Sequence, residues 1–148
     1  MPSLDQLFDF DRYIDTKAPG FSARVMLATH WQSGQDVAFK VMRREHLAND
    51  EVWRLFANEV RLLEVLRQTN TVNHMVDCGF VSDQADDRPA GGDVASCGRQ
   101  IAQFYKEMPR RMAGHWRPYI ALELLPEEHC LLNLIRGADG AGYHPLRL

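Results

Sequence analysis

At 148 residues the chain has room for one domain, or for one lobe of a larger one. Its 45% apolar and 25% charged content is that of an ordinary globular protein, and a net charge of -3 excludes the overall basic field that nucleic-acid binders carry. Met1-Pro2-Ser3-Leu4-Asp5 lacks the basic start of a signal peptide, and no apolar run reaches the ~18 residues a membrane crossing needs, so a cytoplasmic protein without a membrane span is expected.

Residues 10–17 and 21–31 read as two strands around a turn at Ala18-Pro19-Gly20, where proline fixes φ and glycine accepts a positive one. Ser33-Gly34-Gln35 is a second turn, followed by the short apolar strand Val37-Ala38-Phe39-Lys40-Val41-Met42. Asn49 or Asp50 can then cap a helix. In it Val52, Leu55, Phe56, Glu59, Leu62, Leu63 and Leu66 recur at helical spacing, while Arg54, Asn58, Arg61 and Glu64 point outward. The apolar stripe is expected to pack the helix on the sheet.

Residues 73–81 read as a fourth strand and 118–125 as a fifth, the latter an almost continuous apolar run of the kind that is well buried. The connection between them, 82–117, is unusually long. Its first half (Asp83, Asp86, Asp87, Pro89, Gly91, Gly92) has loop composition. Its second half carries Ile101, Phe104, Tyr105, Met108 and Met112 at helical intervals beside Arg99, Lys106, Arg110 and Arg111. A docking or anion-binding helix is one reading; a surface helix packed on its own domain is the preferred one. A further short helix is expected over 130–136, and no internal repeat is present.

Cys78, Cys97 and Cys130 are odd in number and far apart, which points to reduced thiols rather than a disulfide framework. A metal site would recruit His74 with Cys78 or His129 with Cys130. Neither pair has zinc-ligand spacing and four good ligands are not evident, so no metal is expected.

The order of these elements suits several α+β folds, so the motifs carry the argument. Val37-Ala38-Phe39-Lys40 is similar to the Val-Ala-Ile-Lys segment on the third strand of protein kinases. Fifteen residues before Lys40, Val25 closes the segment from Ala18, which resembles the glycine-rich loop Gly-x-Gly-x-x-Gly-x-Val; Ala18 and Ala23 stand where its first and third glycines would be, and Gly20 remains. Nineteen residues after Lys40, Glu59 resembles the αC-helix glutamate that pairs with that lysine. Tyr119 to Pro126 looks like the fifth strand running into the hinge, with Leu122 at the gatekeeper position and Glu123, Leu124 and Leu125 as hinge.

The resemblance covers about residues 10–136 apart from 82–117, and fits the eukaryotic-like serine/threonine kinases better than the tyrosine kinases. It implies an α+β N-terminal lobe at 1–136, a five-stranded antiparallel sheet with one packed αC-type helix and an inserted segment, and a tail at 137–148 leading toward a C-terminal lobe. It implies ATP as ligand, with Mg2+ held only by a complete kinase. Lys40 would place its ammonium on the α- and β-phosphates and Glu59 would hold Lys40 by a charge-assisted hydrogen bond. Gly20 would bring backbone close to the phosphates, Val25 and Ala38 would enclose the adenine, and backbone groups of Glu123 and Leu125 would meet its edge. His129 falls near a ribose-contacting position, though a surface histidine at a helix start explains it as well.

A kinase also needs His-Arg-Asp with a following Asn, and Asp-Phe-Gly, and these 148 residues contain neither; Asp77-Cys78-Gly79 is on a strand, Asp139-Gly140 lies in the tail, and Asp9-Phe10-Asp11 lacks the glycine. The chain by itself is therefore not expected to transfer a phosphoryl group. Three readings compete: a truncated gene product of a serine/threonine kinase whose parent acts on protein substrates, a pseudokinase-like binding or regulatory module, and a small α+β protein unrelated to kinases. Either kinase-derived reading leaves the C-lobe-facing residues Leu131, Leu132, Leu134 and Ile135 uncovered, so self-association through that face is expected.

Overall fold

The computed structural model describes residues 2–14, 23–65, 74–82 and 92–124, with the backbone alone of 11–14. The turn at Ala18-Pro19-Gly20, the loop-like stretch through Gly91, the helix at 130–136 with its leucines, and the tail lie outside these residues. Within them the protein is α+β, a curled antiparallel sheet of six strands with few helices. The elements run α1 (Leu4–Leu7), β1 (Phe8–Ile14), β2 (Ala23–His30), β3 (Asp36–Met42), a 3-10 turn (Arg44–His46), α2 (Asp50–Val65), β4 (Met75–Val81), β5 (Val94–Gly98), α3 (Ile101–Ala113) and β6 (Arg117–Glu123). The strand order is β1-β2-β3-β6-β4-β5.

The expected count of five strands is corrected to six. Val94–Gly98 lies in the connection read as inserted loop and helix, and its Ser, Cys and Gly give it no alternation to announce a strand. It forms because β4 offers an edge, with Val81 opposite Val94 and Phe80 opposite Ala95. At Gly79 the two strands close so tightly that a Cβ would sit 2.3 Å from the Ala95 carbonyl oxygen, which is why glycine stands there.

The sheet is covered on both faces, so β3 and β6 are apolar on both sides rather than alternating. On one face Ala23, Val25, Leu27, Ala38, Ile120 and Leu122 join Trp53, Phe56, Ala57 and Val60 of α2 and Phe104 of α3. On the other, Leu4 and Phe8 fold under Met26, Val37, Phe39, Val41 and Tyr119. The Phe39 and Tyr119 rings stack there at 4.9 Å, with Phe8 edge-on to Phe39 at 5.1 Å.

Helix α2 begins where capping chemistry puts it. The Asn49 side-chain oxygen accepts from the N–H groups of Glu51 (3.0 Å) and Val52 (3.3 Å), and Asp50 and Glu51 place negative charge in the first turn. The burial expected along the helix needs correction at two positions: Leu55 is 60% and Leu62 45% exposed. Trp53 takes the place expected of them, fully buried with its indole N–H donating to the Leu47 carbonyl at 2.9 Å. No described helix is long and apolar enough to cross a membrane.

Candidate functional site

Lys40 projects from the middle of β3, in register with Val25 on one side and Ile120 on the other. Side chains alternate along a strand, so Lys40 shares the α2-facing side with Ala38 and Met42. Glu59 comes from the flank of α2 that overhangs this strand. Its carboxylate accepts from the Lys40 ammonium through both oxygens, Nζ to Oε1 at 2.7 Å and to Oε2 at 2.9 Å. The two side chains keep 24% and 32% of their surface exposed. An ion pair that wet contributes ~1 kcal/mol or less to stability, so its geometry is a product of the fold and not what holds the fold together.

Around the pair, the other expected site residues are distributed unevenly. Val25 and Ala38 lie on the same sheet face as Lys40, and Ala38 is flanked by Leu27 and Leu122. All four are buried and belong to the same apolar cluster as Trp53, Phe56 and Phe104. Glu123 ends β6 with its side chain directed to the opposite face, where the Gln35 amide donates to it at 3.3 Å and the His74 ring lies 3.8 Å away. The Glu123 N–H donates to the His74 carbonyl and the Leu124 N–H to the Asp36 carbonyl, each at 2.8 Å. Gly20, Leu125 and His129 lie outside the described residues.

Cys78 and Cys97 are free thiols buried on the α2-facing side of β4 and β5. Burial raises both, Cys97 to about 12 with the Glu107 carboxylate adding to it, so neither is a nucleophile near neutral pH. Among the described residues no group of three or more His, Cys, Asp and Glu side chains is placed to hold a metal ion.

Two polar features escape a reading of the sequence. Asp77 is 3% exposed, and accepts from the Tyr119 hydroxyl and from the Ser96 hydroxyl, each at 2.7 Å. Arg117 is also buried, its Nε–H donating to the Met42 carbonyl at 2.9 Å and tying the start of β6 to the end of β3. Both stand in strands among apolar neighbours, and nothing local announces which partners cross the sheet to meet them. Comparison with protein-family models, with curated proteins and with solved structures finds no match to this chain.

Proposed function

We propose that this chain is the ATP-binding, N-terminal lobe of a serine/threonine protein kinase, unable to transfer a phosphoryl group with these residues alone. The observation that carries the reading is the bidentate contact between Lys40 and Glu59, a strand lysine and a helix glutamate nineteen residues apart. An ammonium has three N–H donors, and two of them engage the carboxylate. The third, on a side chain still partly open to solvent, is available to a phosphate oxygen.

Glu59 orients the charge and Lys40 delivers it to the α- and β-phosphates. Val25 and Ala38 are proposed to lie against the adenine, with Gly20 over the phosphates and backbone groups of Glu123 and Leu125 at the adenine edge. Mg2+ and the protein substrate belong to a complete kinase, because no His-Arg-Asp or Asp-Phe-Gly is present to supply the proton acceptor and the metal-binding carboxylate.

Calorimetric titration of the purified chain with Mg-ATP tests this. Saturable binding is expected, weakened about tenfold by Lys40→Ala, equivalent to ~1.4 kcal/mol. A folded chain that ignores ATP, or binds it equally well after Lys40→Ala, sinks the proposal. A second reading, a pseudokinase-like binding module without phosphoryl transfer, is favoured by Ala18 and Ala23 in place of two loop glycines. Absence of ATP binding by a chain that keeps the Lys40–Glu59 contact supports it.

A further inference from the structure

An ion pair as exposed as Lys40–Glu59 cannot hold its own helix in place, because two long side chains lose about as much in entropy and hydration as they gain by meeting. Something else must fix α2 over β3. On the sheet side, the Trp53 ring of α2 stacks on Phe80 of β4 at 6.4 Å, and Phe80 stacks on Phe104 of α3 at 4.7 Å. On the flank, the Tyr105 hydroxyl of α3 donates to the Ala57 carbonyl of α2 at 2.5 Å. At 3.6 residues per turn, Ala57 and Glu59 point about 160° apart around the helix axis. The contact with α3 therefore lies on the flank of α2 away from Lys40, where it opposes both rolling of the helix and withdrawal of Glu59.

The helix that makes this contact is stiffened by pairs along its own length and held to the sheet by the Phe104–Phe80 stack. Glu107 accepts from Arg111 (2.8 Å), Arg110 (3.1 Å) and Gln103 (2.6 Å), and the Arg111 guanidinium lies 4.4 Å from the centre of the Trp116 ring just beyond the helix. Pro109 has no N–H to give the Tyr105 carbonyl, so the turn that carries Tyr105 depends on its side-chain contacts more than its neighbours do.

We propose that α3 is a built-in brace for α2, and that Tyr105 is the positioning residue that keeps Glu59 on Lys40. The proposal rests on the reading of Lys40 and Glu59 as a nucleotide-binding pair, and it assigns to the 82–117 connection the task of assembling that pair without a separate protein.

The test uses the whole chain labelled with 15N-lysine, with Lys40 assigned by Lys40→Arg against Lys17 and Lys106. An ammonium held by a carboxylate exchanges its protons slowly enough for its 15Nζ signal to be observed. The wild type is expected to show that signal for Lys40 and Glu59→Gln to lose it. Tyr105→Phe keeps the ring and removes only the hydroxyl, and it is expected to lose at least half of the Lys40 signal while circular dichroism stays native. An undiminished signal in Tyr105→Phe overturns the brace. So does a lowered Tm with the signal unchanged, which marks an ordinary structural contact, and so does a wild type without the signal.

Titration with a fluorescent ATP analogue gives the second arm. Tyr105→Phe is expected to weaken binding roughly threefold in the wild type and not at all in Glu59→Gln, the non-additivity of residues acting through one another. Equal losses in both backgrounds overturn the proposal. A wild type that does not bind the analogue defeats the nucleotide-binding reading instead, and the Lys40 signal then decides the brace on its own.

Discussion

Asp77 is the one acidic side chain among the described residues that the sheet takes out of water. Burial raises its carboxyl above the ordinary value near 3.8, against the pull of the hydrogen bonds from Ser96 and Tyr119 and of the charge on His30. A raised folded-state value means that the folded protein holds the proton more tightly than the unfolded chain. That stability is fully present below about 3.8 and is lost as pH rises through the folded-state value. Asp77→Asn keeps an oxygen for Tyr119 and removes the charge. Urea unfolding is expected to show it more stable than the wild type at pH 7, with the gap narrowing toward pH 4; a pH-independent gap would show that Asp77 does not titrate with folding. Lys40 and Glu59 are legible in the sequence, one from its strand motif and the other from its distance along the chain. Tyr105 is legible only as a member of an apolar stripe, since nothing in its surroundings reveals that its hydroxyl reaches a carbonyl 48 residues away.

Helix α2 shows what periodicity does and does not specify. Asn49 marks its start from local chemistry alone, because an Asn side chain at that position answers N–H groups the helix cannot. Asn49→Ala is expected to cost ~1 kcal/mol, measured as a lowered urea midpoint with an unchanged slope. An unchanged midpoint would mean that the first turn is held by the Trp53 anchor instead. The apolar residues of α2 span more than one face, and only the neighbours decide which face is covered: Phe56 and Val60 meet the sheet, Leu55 and Leu62 do not. Helix α3 has a narrower stripe, and there Phe104 is buried while Ile101, Tyr105, Met108 and Met112 pack against the same core. Strand β5 is the opposite case, a segment with no pattern of its own that is drawn into the sheet by an edge.

At the scale of the whole molecule, Phe80 is the ring on which both long helices rest. Phe80→Ala is expected to cost ~3–5 kcal/mol, a large part of the stability of a domain this size. Hydrogen exchange should then show protection falling in α2 and α3 together; loss confined to β4 would mean that the stack does not couple them. The sequence by itself determined the elements with strong local signatures: the strands β2 and β3 around the turn at Gly34, the cap of α2, the stripe of α3, and a lysine and a glutamate nineteen residues apart that meet. These depend on side-chain period, turn chemistry and capping, which act over a few residues. Only the tertiary structure decided that β6 inserts between β3 and β4, that a sixth strand extends the edge, that Asp77 and Arg117 are buried, and that the Tyr105 hydroxyl of α3 meets the Ala57 carbonyl of α2. Each of those depends on partners distant in the chain, and a buried polar group or an exposed leucine becomes so only once the opposite surface is in place.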